Sequence, residues 1–261
     1  MPRTKEAVIG QRARNLFDPT SAKPYKLSRS KLELFLRCAR CFYLDRRLGI
    51  GQPSIPPYTL NNAVDQLLKR EFDFHRREKS PHPLMTEFGI DAVPFSHPLL
   101  ETWRENFQGI QVLHEQTRFL FTGAIDDVWV DPEENLLVVD YKATSTVKEI
   151  SLDDEWKAAY KRQMEMYQWL LRGQGLQVSD VGYFVFVNAD ASKEHFAGKL
   201  EFVAKIIPYI GDDSWVEDAL LDAHHCLCRD TLPPSARECE WCGYRKAAMT
   251  FENSSLTERG S

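Results

Sequence analysis

The chain has 261 residues, 43% hydrophobic and 27% charged, with a formal net charge of −5. That is enough apolar chain for one sizeable core, with room for a small appendage. The charge excludes a uniformly basic nucleic-acid coat, but not a protein whose basic groups line one groove.

No segment reaches the roughly 18 apolar residues that a membrane span needs, and the N-terminus MPRTKEAVIGQRARNLF lacks the apolar stretch of a secretory signal. A cytoplasmic location without membrane partners is therefore expected. Its six cysteines stay reduced there and are free to bind metal.

In chain order, residues 1–25 read as a flexible arm. From Leu27 to Leu48 the period is helical, with Ser28 or Ser30 as N-cap. GQPSIPPY breaks it, and a second helix is predicted from Leu60 to Phe74, with Leu60, Val64, Leu67, Leu68 and Phe72 on one face. A loop-like stretch, SPHPLMTEFGIDAVPFSHP, leads to a short segment at Trp103. The period then changes: RFLFTGAIDDVWV and LLVVDYKA read as two strands joined by the turn DPEEN. A helix from Leu152 to Arg172, a buried strand VGYFVFVN, a strand within GKLEFVAKIIPY and a helix from Ser214 to Cys226 follow. Strand, helix, strand in that order implies a right-handed crossover with some parallel pairing. Residues 250–261 read as a disordered polar tail, which leaves a single domain over 26–249.

Alternation along a strand puts Asp140 and Lys142 on one face. If Asp131–Asn135 is the loop, Val130 pairs with Leu136 and Asp126 falls opposite Asp140, with Cβ atoms roughly 5 Å apart. Two carboxylates so placed repel unless a cation sits between them. All-oxygen ligands suit a hard ion such as Mg²⁺ or Mn²⁺, which also accepts phosphate oxygens. One residue of slip would bring Asp127 to the site instead; Asp126 is preferred because Asp127 shares a face with Phe119, Phe121 and Trp129.

The series GAID (Gly123–Asp126), DYK (Asp140–Lys142) and QMEMY (Gln163–Tyr167) resembles motifs II, III and IV of the PD-(D/E)XK nuclease superfamily, in its RecB-like branch. The resemblance implies a restriction-endonuclease-like α/β core, a mixed central sheet flanked by helices. It also implies metal binding by Asp126 and Asp140; the Tyr141 carbonyl is a further candidate ligand. Lys142 would position or activate water, and Gln163 and Tyr167, one turn apart, would lie beside the DNA strand. Where the branch carries a histidine on an early helix, LNNAVDQLLKREFD has Asp65, itself a capable metal ligand.

Cys38-Ala-Arg-Cys41 and Cys239-Glu-Trp-Cys242 have the spacing of thiolate pairs that share one metal, and two pairs complete a tetrahedral site. CARCFYL and LPPSARECEWCGYR are similar to the cysteine-bearing ends of the CRISPR-associated RecB-like exonucleases, which hold a 4Fe–4S cluster with one early and three late cysteines. Here no final cysteine follows CEWCGYR; Cys41 could replace it, or Cys226 or Cys228 contribute. Structural zinc suits the symmetric pairs equally.

The basic clusters Arg37/Arg40/Arg46/Arg47 and Lys157/Lys161/Arg162 are candidate phosphate contacts. The expectation is a Mg²⁺- or Mn²⁺-dependent exonuclease acting on single-stranded DNA or a duplex end. Its setting would be repair, recombination or CRISPR adaptation, with other proteins of those systems as candidate partners. The alternative is a weakly active or inactive DNA-binding subunit that keeps the nuclease fold.

Overall fold

Apolar alternation and turn chemistry resolve into two sheets in the computed structural model, which describes residues 11–53 and 56–257. The chain divides into two compact units, one of Met1–Ile55, Leu113–Leu120 and Glu217–Ser261, the other of Pro56–Val112 and Phe121–Val216.

In the first unit the helix expected over 27–48 is three elements: strand β1 (Tyr25–Ser28), helix α1 (Arg29–Arg37) and helix α2 (Ala39–Arg46). Ser28 is the N-cap of α1, and Cys38 separates the helices with extended backbone, φ −163° and ψ 104°. The described part of the expected arm is packed. Gln11 bridges to Ile50, Arg12 pairs with Asp45 at 3.0 Å, and buried Phe17 meets Tyr25 edge-on at 5.4 Å. Residues 1–10 lie outside the described residues.

The second unit opens with α3 (Thr59–Glu78), α4 (Pro83–Glu87), β2 (Val93–Pro94) and α5 (Leu100–Arg104). Only part of the predicted apolar face of α3 is covered. Leu68 and Phe72 are buried and Val64 partly so, whereas Leu60 and Leu67 are exposed. Burying Leu68 and Phe72 holds the helix with about 1.5–3 kcal/mol each.

Strands β3 (Ile110–His114) and β4 (Phe119–Gly123) join β1 in a three-stranded sheet, order β1-β4-β3. The single strand expected over 118–130 is thus two, β4 and β5 (Asp127–Val130), assigned to different sheets. The ladder stops between them because Ile125 is buried and donates its N–H to the Trp103 carbonyl.

Next come β6 (Leu136–Thr144), α6 (Ala158–Gly173), β7 (Val181–Ala189), β8 (Phe202–Ile210), α7 (Trp215–Cys228) and α8 (Glu240–Thr257). Helix α8 runs through residues 250–257, where the sequence reads as a disordered tail; residues 258–261 lie outside the described residues. The five-stranded sheet has order β2-β5-β6-β7-β8. β5 and β6 are antiparallel with Val130 opposite Leu136, the register that the DPEEN turn demands. β6 and β7 are parallel across the α6 crossover, and β7 and β8 antiparallel, so the sheet is mixed.

Side chains of β6 divide by parity. Leu137, Val139 and Tyr141 pack with Trp129, Val185, Val187, Leu68 and Phe72. Val138, Asp140 and Lys142 point to the opposite face. No described helix is long and apolar enough to cross a membrane.

Candidate active site and cysteine centre

Asp126 and Asp127 are neighbours at the start of β5, so their side chains part to opposite faces. Asp127 is fully buried and serves the scaffold. Its Oδ1 accepts from Arg76, from Arg104 Nη2 at 2.9 Å and from the Val128 N–H at 2.8 Å; its Oδ2 accepts from the Tyr141 hydroxyl at 2.7 Å. Burial and the Asp127 carboxylate hold the Tyr141 hydroxyl well above its ordinary pKa, so it remains a donor. Arg104 Nε also donates to the Asp126 carbonyl at 3.0 Å. The backbone that carries Asp126 is thereby fixed from behind.

Asp126 reaches the other face. Its Oδ2 accepts the Tyr141 N–H at 3.0 Å, in the middle of the DYK tripeptide, and its Oδ1 lies 3.4 Å from Lys69 Nζ. Tyr141 therefore meets the site through its backbone while its ring is turned away.

Asp140 is fully buried. Gln163 Nε2 donates to its Oδ1 at 2.8 Å and to the Tyr167 hydroxyl at 3.1 Å, so one turn of α6 braces this carboxylate. The Lys142 ammonium pairs with Oδ2. Burial pushes the Asp140 pKa up to about 7 against the pull of Lys142, and repulsion from Asp126 adds to the rise. Burial disfavours the charge on Lys142 as well, but Asp140 and Asp126 outweigh it and hold the ammonium above its ordinary pKa.

On α3, Asp65 Oδ2 pairs with Lys69 Nζ at 2.8 Å. Burial raises the Asp65 pKa, and the nearby Asp126 charge raises it further. Asp65, Asp126, Asp140, Lys142, Gln163 and Tyr167 thus form one connected constellation of three carboxylates, with Lys69 as an added ammonium. Three carboxylates that gather at one site and repel one another are what a site short of positive charge displays, and the all-oxygen donors suit a hard divalent ion. The residues fit such an ion.

Sequence reasoning missed Lys69, Asp73, Arg76, Arg104 and the scaffold role of Asp127. Lys69 had a signal, four residues beyond Asp65 on one helix face, and so did the Asp73–Arg76 pair three apart. Nothing local marked Arg104.

In the first unit, Cys38, Cys41, Cys239 and Cys242 bring their sulfurs within 4.8 Å of one another. The Sγ separations are 3.6 Å for Cys41–Cys239 and Cys41–Cys242 and 3.9 Å for Cys38–Cys242. Burial opposes a Cys38 thiolate, but N–H groups of Ala236, 3.5 Å away, and Cys41 bring its pKa down to about 7. Cys226 lies against the Ala39 carbonyl and Cys228 beside His224, so neither joins the cluster.

Both basic clusters are partly spent inside the fold. Arg46 is buried on Asp45, Arg40 donates to the Pro233 carbonyl, and Lys157 is buried on the Ser151 carbonyl.

A family model described as the PD-(D/E)XK nuclease superfamily matches residues 57–247, most of the chain. No curated protein matches it significantly.

Proposed function

The chain belongs to the PD-(D/E)XK nuclease superfamily, and on that footing we propose that it hydrolyses phosphodiester bonds in DNA with Mg²⁺ or Mn²⁺ held by Asp126 and Asp140. The observation that carries this reading is the convergence of Asp65, Asp126, Asp140 and Lys142 on one site, with Asp126 seated on the Tyr141 N–H and its charge repelling the Lys142-paired Asp140. When bound, the ion supplies a water of lowered pKa and neutralises charge on the phosphate. Lys142 places a protonated amine where negative charge builds up in the transition state. Gln163 fixes the rotamer of Asp140, and Tyr167 fixes Gln163. The Tyr141 carbonyl is the added ligand.

The order of GAID, DYK and QMEMY together with the terminal cysteine pairs supports an exonuclease of the RecB-like branch, nearest its CRISPR-associated members, acting on a single strand or a duplex end. Repair, recombination or CRISPR adaptation is the matching role. Lys142→Ala is expected to abolish Mg²⁺-dependent cleavage of labelled DNA while the far-UV spectrum and DNA binding persist. An undiminished rate in that variant refutes the assignment. Asp65, standing where the branch carries a histidine, favours a second reading, a DNA-binding subunit that does not cut. Binding without Mn²⁺- or Mg²⁺-dependent cleavage by the parent protein would select it.

For the cysteine centre we propose a single tetrahedral Zn²⁺. Four thiolates about 2.3 Å from one ion stand about 3.8 Å apart; three of the six pairs here stand at 3.6–3.9 Å and all six lie within 4.8 Å. A 4Fe–4S cluster interposes its own iron and sulfide atoms and needs its thiolates farther apart. Anaerobically purified protein is expected to be colourless with about one zinc per chain; a brown, iron-bearing sample overturns this.

A further inference from the structure

Lys69 has no assigned part in the chemistry, yet it stands among the acids. One turn after Asp65 on α3, its ammonium lies 2.8 Å from Asp65 Oδ2 and 3.4 Å from Asp126 Oδ1. Those are the distances of a charge-assisted contact and a looser ion pair, and the ammonium occupies the gap between two carboxylates that would otherwise repel. A divalent ion bridging Asp65 and Asp126 would need the same gap. The other acidic pair differs: of Asp126 and Asp140, Lys142 pairs with Asp140 alone, so no ammonium spans those two carboxylates.

Charge counting leads to the same result. Three carboxylates and two ammoniums leave one net negative charge among Asp65, Asp126, Asp140, Lys69 and Lys142. One divalent ion reverses that sign and suits a phosphate; a second, between Asp65 and Asp126, would have to displace an ammonium that pairs with both of its ligands.

We infer that Lys69 is a built-in substitute for one cation, so that this site takes a single divalent ion at Asp126 and Asp140 and Asp65 serves Lys69 rather than the metal. The inference rests on the metal-dependent reading of the site but not on cleavage itself. Lys69 is then a positioning residue: it holds the Asp126 carboxylate without touching the reacting atoms.

The test counts Mn²⁺ by calorimetry and by electron paramagnetic resonance. It uses the full chain as purified, so that the cysteine centre keeps its own metal, and no DNA. The parent is expected to bind about one Mn²⁺. Lys69→Met, which keeps the stem and removes the charge, is expected to bind about two, or one at least ~10-fold more tightly. Adding Asp65→Asn to Lys69→Met is expected to restore single occupancy, and Asp65→Asn alone is expected to change the parent's affinity by less than ~3-fold. Two ions in the parent overturn the inference, and that measurement does not depend on how any variant folds. Unchanged stoichiometry and affinity in a folded Lys69→Met protein overturn it equally. Single Mn²⁺ occupancy with no DNA cleavage would sink the nuclease reading and leave this one standing. Two ions with active cleavage would do the reverse.

Discussion

Asp126 and Asp127 are adjacent, identical in chemistry and separable by experiment. Asp127→Asn keeps the shape and removes the charge of a fully buried group that accepts from Arg76, Arg104, the Val128 N–H and the Tyr141 hydroxyl. The amide oxygen can still accept from the arginines and the Val128 N–H while its nitrogen donates to the Tyr141 hydroxyl, but the phenol proton then loses its acceptor and the two guanidinium groups lose a buried counter-charge. Breaking a buried pair costs about 3–5 kcal/mol. Asp73 still contacts both arginines, so the lower end, about 3 kcal/mol, applies. For a chain of this size each kcal/mol moves the melting temperature by about 2–4 °C, which predicts a fall of about 6–12 °C. Asp126→Asn removes a partly exposed charge whose ion-pair partner, Lys69, is 3.4 Å away. Such pairs are worth about 0–1 kcal/mol, and relief of repulsion from Asp140 offsets part of the loss. Its melting point should move by no more than about 3 °C, while metal-dependent cleavage disappears. Thermal melts by circular dichroism, with cleavage assayed at low temperature where both variants are folded, read the two effects apart. If Asp127→Asn melts within ~2 °C of the parent, or Asp126→Asn falls as far as Asp127→Asn, the division into scaffold and site is wrong.

Gly123→Ala would bring a Cβ to 2.8 Å from Tyr167 Cε1 and 2.9 Å from Leu170 Cδ1; overpacking of about 1–3 kcal/mol and slower cleavage are expected together, since Tyr167 braces Gln163. A normal melt and a normal rate in that variant would show that the ring is free to move. His82 is held below its ordinary pKa by burial, against the opposing pull of Glu71, and its Nδ1 accepts the Leu84 N–H at the start of α4. Its folded pKa is the lower one, so its contribution is present above the unfolded value of about 6.5 and is lost as pH falls below that. Urea midpoints at pH 7.5 and 5.5 should therefore draw together in His82→Asn relative to the parent, and an equal pH dependence in both proteins counts against it.

Where a local rule fixed geometry, the sequence was readable. The DPEEN turn sets the β5–β6 register, and from it Asp126 lands beside the DYK tripeptide. Two C-x-x-C pairs find each other because tetrahedral thiolate chemistry leaves few other uses for that spacing in a reduced chain. Legibility ended where distant residues decide. The strand expected over 118–130 breaks at Ile125 because Trp103, some twenty residues earlier, takes its N–H. The helix expected over 27–48 breaks at Cys38, whose extended backbone lets the chain turn between α1 and α2. Leu60 and Leu67 fit the apolar period of α3 and are nevertheless exposed, since the sheet covers only Val64, Leu68 and Phe72. Arg104, which bonds both Asp127 and the Asp126 carbonyl, carries no pattern at all.

The two faces of β6 account for how this site holds its shape before any ion arrives. Even positions carry Asp140 and Lys142 to the candidate site; the odd position between them sends Tyr141 through the sheet to Asp127. The same tyrosine donates its amide to Asp126. One residue therefore ties both aspartates of β5 to β6, the first through its backbone and the second through its side chain, with Arg76 and Arg104 behind. In an all-oxygen site without such backing, acid repulsion would spread the ligands until metal drew them together. Here the repulsion between Asp126 and Asp140 is opposed by covalent strand geometry and by a buried ion network on the opposite face of the sheet. Pre-organisation of this kind lowers the cost of ordering the ligands on binding, and it explains why a chain that places a lysine among its acids can still keep one pair of them in position for an ion.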